Sequence, residues 1–236
     1  KAERMADMGR RLAEKAGIGF RVRSTDDLAN AVDGADLAIS SIGGSGAEIT
    51  PSVYGSYYHN CDMRIPAKYG IQQIVGDTGG PAAMMMALRS IPAYIQICRE
   101  MEKRCPNVIL LNHSNPMAVL CRAMTKYTSL NVIGICHGVQ GGIGVAARLA
   151  HVAPQELECT WIGTNHYYWF TRVRHNGVDM YPELMRRLAE RPYQAGRELS
   201  TRLSQIYGYQ IVYPQDDHIW EFYPFATRVK DLAELP

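Results

Sequence analysis

Three short strings hold the residue types best suited to chemistry. Asn112-His113-Ser114-Asn115-Pro116 and Cys136-His137-Gly138 each end an apolar run, and Gly163-Thr164-Asn165-His166 follows later. Thiolate is a soft ligand and imidazole a borderline one. Cys136 and His166, on separate elements, could therefore be joined by one divalent transition metal. The apolar runs, residues 108–111 and 132–135, have the length of buried parallel strands. Their polar sequels then gather at the carboxyl ends of neighbouring strands, where open α/β sheets bind ligands. The chemistry suggested is metal-assisted, on a nucleotide-binding scaffold.

The elements that must position these residues alternate. Residues 2–16 place Met5, Met8 and Leu12 at helical spacing, and 20–22 look like a strand. Ser24-Thr25-Asp26-Asp27 is a helix-start signal into 28–32, and 37–41 is the next strand. Its end carries Ile42-Gly43-Gly44-Ser45-Gly46, a loop whose backbone, at Gly43 and Gly44, can approach a cofactor closely. Gly76-Asp77-Thr78-Gly79-Gly80-Pro81 opens a long helix over 82–104, with Met84, Leu88, Ile91, Tyr94, Ile95 and Cys98 as its expected apolar side and Pro92 as an expected kink. The triplet Met84-Met85-Met86 reads as helix packing. Strand 108–111, helix 116–126, strand 131–135 and helix 139–150 follow, arguing for right-handed crossovers and a parallel sheet.

After residue 155 the pattern changes. Residues 158–162 and 167–173 look like strands, and Asn176-Gly177 is a hairpin signal before 178–181. Two helices, 182–190 and 194–206, precede the polar loop Pro214-Gln215-Asp216-Asp217-His218. The fold class expected is α/β: a Rossmann-like parallel sheet domain of the lactate/malate dehydrogenase type over 1–155, followed by the start of an α+β substrate domain over 156–236. A dinucleotide fold normally begins with a strand, a GxGxxG turn and a later acidic residue. Here the first segment is already a helix. The similar string Gly142-Ile-Gly144-Val-Ala-Ala147 lies within an expected helix and reads as a decoy.

Composition narrows the classes. Apolar content of 47% and charged content of 20% suit a globular domain with a sizeable core. A net charge of +2 gives no electrostatic case for nucleic acid or an anionic membrane. No apolar stretch approaches the roughly 20 residues of a membrane span. Six cysteines without paired spacing read as free thiols of a cytoplasmic protein.

The strings KYGIQQIVGDTGGP (68–81), LLNHSNPMAVLCRAM (110–124), VIGICHGVQGG (132–142), IGTNHYYWF (162–170), GVDMYPEL (177–184) and DDHIWEFYPF (216–225) together resemble glycoside hydrolase family 4. These are NAD- and manganese-dependent glycosidases, an exception to the two-carboxylate rule. The resemblance implies that the chain is an internal fragment, lacking the family's glycine-rich loop and a C-terminal portion. It implies redox elimination: NAD+ takes hydride from C3 of the sugar, a base removes the acidified C2 proton, and the C1 substituent leaves. Water then adds back, and the same NADH returns the hydride to C3. Mn2+ acts as Lewis acid and template.

Roles carry over residue by residue as implications of that resemblance. Cys136 and His166 match the metal ligands. His137 matches the general acid, and its reference pKa near 6.5 suits the task. Asn115 matches a sugar-binding position, with Asn165 also placed at the substrate, and Asn112 lies beside the expected nicotinamide site. Asp77 is the expected carboxylate near the sugar. The base falls between Asp216 and Tyr213. His113 and His218 read as structural histidines. Members acting on phosphorylated sugars usually carry Asp or Asn where this chain has His137, which points to a non-phosphorylated small-molecule glycoside. An α-galactoside is favoured, with α-glucosidase and α-galacturonidase or α-glucuronidase activity as alternatives. A homo-oligomer, dimer or tetramer, is implied. The rival from another class is a lactate/malate-type hydroxy-acid dehydrogenase, which needs a His–Asp relay and an Arg clamp rather than a metal. A second rival is an inert binding scaffold.

Overall fold

A parallel ladder sets the geometry in the computed structural model, which describes residues 2–42, 57–190, 198–209 and 216–223. Strand β1 (Leu37–Ser40) pairs with β2 (Ile109–Asn112), which pairs with β3 (Asn131–Gly134), all parallel. The register aligns Ser40, Asn112 and Gly134 at their carboxyl ends, so every loop leaving this sheet starts from one edge.

Helices α1 (Ala2–Lys15) and α2 (Leu28–Val32) precede β1. Asp27 caps α2 by accepting from the Ala29 and Asn30 amides, as the start signal predicts. Between β1 and β2 run α3 (Tyr57–Ala67) and α4 (Gly80–Arg104), followed after β2 by α5 (Met117–Tyr127). Tyr94, Cys98 and Met101 of α4, Leu120 and Met124 of α5, and Val108 and Leu110 form the core that backs the sheet. Burying each large apolar side chain there contributes about 1.5–3 kcal/mol.

Helix α6 (Gly138–Ala150) leads into an antiparallel sheet of β4 (Leu157–Thr164), β5 (Tyr167–His175) and β6 (Val178–Asp179). Helices α7 (Tyr181–Glu190), α8 (Glu198–Tyr207) and the single turn α9 (Asp216–Ile219) follow. Ala146 and Ala150 of α6 pack with Tyr168, Phe170, Val173 and Leu184 in one core. That shared core fixes α6 against the second sheet. Asn176 and Gly177 have φ of 50° and 78°, the doubly left-handed turn that their sequence demands.

Three expectations are corrected. Residues 20–22 pair with no strand among the described residues, so the expected strand there is not formed. The stripe of α4 is turned by about one residue: Ala83, Met86, Ala87, Ser90, Tyr94, Cys98 and Met101 are buried, while Met84 and Leu88 are 57% and 61% exposed. Helix α4 is apolar on most of its circumference, so periodicity alone left its phase open. The core took the side with small residues, which lets the helix approach closely. Of the methionine triplet, only Met86 packs inside. Helix α3, which no sequence signal announced, is held to α4 by the Asp62–Arg89 ion pair. The decoy string 142–147 falls beyond the first turn of α6, where backbone amides are already engaged within the helix. No helix among the described residues is long and apolar enough to cross a membrane.

Candidate active site

The β4–β5 hairpin delivers His166. Pairing of Thr164 with Tyr167 leaves Asn165 and His166 as the turn, and His166 takes a φ of 60°. Cys136 lies two residues past β3, just before α6, where the Gly138 amide donates to its Sγ at 3.3 Å. The two ends converge: Cys136 Sγ stands 3.3 Å from His166 Nε2. At Zn–S and Zn–N lengths of about 2.3 and 2.0 Å, that separation corresponds to a ligand–metal–ligand angle of roughly 100°. The donor pair fits a divalent ion.

A hydrogen-bonded chain extends from the other ring nitrogen. His166 Nδ1 is 2.6 Å from Thr78 Oγ1, Thr78 donates to Asp77 Oδ1 at 2.6 Å, and Asn115 Nδ2 donates to Asp77 Oδ2 at 2.6 Å. Asn115 is oriented by the Met117 amide, which donates to its Oδ1 at 3.1 Å. The buried His218 ring packs edge-on against His166, centroids 4.2 Å apart. One ligand atom each from Asp77, His166 and His218 lie within 4.8 Å of one another.

The loop carrying Asp77 and Thr78 is pinned on both sides. Gln73 donates to the Gly79 carbonyl at 2.9 Å and accepts from the Ala82 amide at 3.0 Å. The Glu221 carboxylate accepts from the Gly76 and Gly79 amides. At Gly80, with φ of 71°, a β-carbon would meet Gln73 Nε2 at 2.5 Å, so the tight loop requires glycine there.

Burial pushes the Glu221 carboxyl up to about 7, against the lowering effect of the two amides, with the Asp77 charge adding to the rise and His218 opposing it. The folded chain thus keeps a proton that the unfolded chain, near the ordinary 4.5, has released. Stability from this group is present below the unfolded pKa and is lost as pH rises through about 7. Urea unfolding without metal should show a loss on the order of 2 kcal/mol between about pH 5 and about pH 8. Glu221→Gln should flatten the profile by that amount; an unchanged slope would place the titration elsewhere.

The structure thus brings together Cys136, His166, Asp77 and Asn115. Asn165 lines a cavity of about 400 Å³ whose wall also holds Met117, Cys136, Ile143, Trp161 and His166, and its buried Oδ1 has no hydrogen-bond partner among the described residues. Asn112 is fully buried. Its amide accepts from Ser40 and Ser114, donates to the Ser114 carbonyl and faces Cys121 Sγ, so all four of its bonding positions are engaged within the chain. Ser114 in turn grips both backbone groups of Ile42, fixing the exit of β1. His137 occupies the N-cap position of α6 without a side-chain capping bond and is exposed; it lines no part of this cavity. Asp216 opens α9, with its side chain outside the described residues, as are Gly43, Gly44 and Tyr213. Thr78, His218 and Glu221 were missed as site residues. The available signal was the spacing of His218 and Glu221, two ionisable groups one helical turn apart among aromatics.

Comparison with known proteins adds to this geometry. The sequence model of the family 4 glycosyl hydrolases matches residues 1–153. An α-galactosidase of Bacillus subtilis (strain 168) is 30% identical over 218 residues, 92% of this chain and 48% of its own length. The crystal structure of lplD from Bacillus subtilis superposes with a TM-score of 0.76 at 25% identity, covering 86% of this chain and 50% of that one. A 6-phospho-α-glucosidase from gut microorganisms, solved with NAD and Mn2+, gives a TM-score of 0.76 at 21% identity over 96% of this chain and 53% of its own, a likeness of fold. The chain spans about half the length of these relatives.

Proposed function

The chain belongs to family 4 of the glycosyl hydrolases, and from that premise we propose that the protein hydrolyses O-glycosidic bonds of non-phosphorylated α-galactosides with the help of NAD and a divalent metal such as Mn2+. Cys136 and His166 would hold the metal; Gly43, Gly44 and the strand end organised by Asn112 would face NAD. When bound, these groups supply reversible hydride acceptance and Lewis-acid polarisation. Residues 1–155 would carry the nucleotide and 156–236 the second half of the metal and sugar site.

The chain's own residues do the rest. The Asn115 amide and Asp77 carboxylate, bound to each other, present a donor and an acceptor edge that orient sugar hydroxyls. Asn165 turns its buried Oδ1 to a sugar hydroxyl donor. His137, next in the chain to Cys136 but exposed and off the cavity wall, would have to turn toward the site to give its proton to the departing glycosidic oxygen. Asp216 would take the proton from C2; its neighbour two residues on, His218, has Nε2 3.7 Å from Asp77 Oδ1. The apolar wall of Met117, Ile143 and Trp161 keeps water from the polarised carbons.

The observation that carries this reading is the 3.3 Å approach of Cys136 Sγ to His166 Nε2 beside the Asp77–Asn115 pair. Supporting the sugar are His137 in place of an Asp or Asn and the likeness to an α-galactosidase. A panel of nitrophenyl α-galactoside, α-glucoside and α-galacturonide tests it. Turnover of the α-galactoside is expected only with both NAD+ and Mn2+, lost on chelation and restored by Mn2+. Preference for the uronide would move the substrate, and turnover without either addition would remove the redox mechanism. Oxidation of lactate or malate without metal would favour the dehydrogenase rival. Light scattering should show a homo-oligomer.

A further inference from the structure

We propose that Thr78 is a positioning residue that fixes the tautomer of His166, and so decides that Nε2 is the nitrogen offered to the metal. The inference rests on the metal assignment made above to Cys136 and His166. A hydrogen count carries it. Asn115 presents its Nδ2 to Asp77, because its Oδ1 is already taken by the Met117 amide. Asp77 therefore accepts on Oδ2, and on Oδ1 it accepts from Thr78. A threonine hydroxyl has one hydrogen and two lone pairs. With that hydrogen directed at Asp77, Thr78 Oγ1 can only accept across the 2.6 Å to His166 Nδ1. The imidazole proton is thus on Nδ1. A neutral ring with its proton there has its lone pair on Nε2, the nitrogen that faces Cys136 Sγ at 3.3 Å.

The relay also chooses between two donor sets. Asp77, His166 and His218 form a second group with ligand spacing, in which the histidine nitrogen facing Asp77, 3.9 Å from Oδ1, is Nδ1. A metal held through Nδ1 would need a lone pair on that nitrogen, where the Thr78 contact leaves a hydrogen. Thr78 thereby assigns His166 to the cysteine side and leaves Asp77 and His218 to other partners. Outer-shell groups that orient a ligating histidine change metal affinity by about 10–100-fold when removed.

Titration of the full-length protein with Co2+, read by the thiolate-to-cobalt charge-transfer band, tests this. Thr78→Val, which keeps the shape and removes the hydroxyl, should weaken cobalt binding by about 10–100-fold, while Thr78→Ser should stay close to the parent. Thermal unfolding without metal, measured alongside, separates a packing role: a merely structural Thr78 would lower the melting temperature and leave cobalt affinity unchanged. Equal affinity in Thr78→Val, or equal loss in Thr78→Ser and Thr78→Val, would overturn the relay. A parent protein that shows no thiolate band would overturn the metal assignment itself, and the relay with it, without reference to either variant.

Discussion

Cys136→Ser is expected to cut glycoside turnover by at least about a thousandfold, roughly 4 kcal/mol of transition-state stabilisation, while leaving the fold in place. Serine occupies nearly the same space, and Cys136 belongs to none of the buried core clusters. The loss is therefore chemical: a neutral hydroxyl is a harder and weaker ligand than a thiolate for a transition metal. Far-ultraviolet circular dichroism and the metal-free melting temperature should match the parent, while the thiolate–cobalt band disappears. Retained Mn2+-dependent turnover in Cys136→Ser would take the thiol out of the centre. Loss of turnover together with a collapsed melting transition would make it a folding residue instead.

The residues of this prediction were readable from sequence because they terminate elements. Cys136 follows β3, Asn115 precedes α5, Asp77 precedes α4 and His166 occupies a hairpin turn. Short apolar runs end where the sheet ends, so the polar residue after each is placed by the strand alone. Strands β2 and β3 and helices α5 and α6 were locatable for the same reason. Glu221 and Thr78 were not readable in this way. Their importance comes from contacts between segments far apart in the chain, Glu221 with the Gly76–Gly79 loop and Thr78 with the hairpin turn at His166, where no periodicity is long enough to show which side is buried. The phase of α4 failed for the opposite reason: Met84 and Leu88 are as apolar as Met86, and only the packing partner chooses among them. Asn112 was placed correctly at the strand end, but its saturated amide makes it a brace of that end.

Gly163→Ala should be the most damaging single methyl in the site. Gly163 has φ of 140°, and a β-carbon there would fall 2.4 Å from the Tyr167 carbonyl oxygen and 2.5 Å from Tyr168 Cα. Both are backbone atoms across the hairpin, so no side chain can swing aside. Left-handed backbone costs about 1–3 kcal/mol for a non-glycine residue, and overpacking adds about 1–3 kcal/mol, for a loss on the order of 4 kcal/mol. The same displacement would move His166 away from Cys136. Denaturant unfolding should show the stability loss, and cobalt titration a weakened thiolate band even where the variant remains folded. A Gly163→Ala protein with parental stability and cobalt affinity would mean that the hairpin is looser than its register implies.

The sequence separations within the site impose an order on its assembly. Cys136 and His166 are 30 positions apart, Asp77 and Asn115 38, Thr78 and His166 88, and Gly76 and Glu221 145. Closing a longer loop costs more chain entropy, and contacts of long separation form late. During synthesis from the N-terminus, Asn115 meets Asp77 first, and the thiol and imidazole can meet while the carboxyl that anchors the Asp77 loop has yet to emerge. Glu221 is therefore the closing piece. A chain interrupted before it would hold the Cys136–His166 pair and leave the Asp77 loop pinned by Gln73 alone, so under the proposed function capture of an ion can precede competence to act on a substrate.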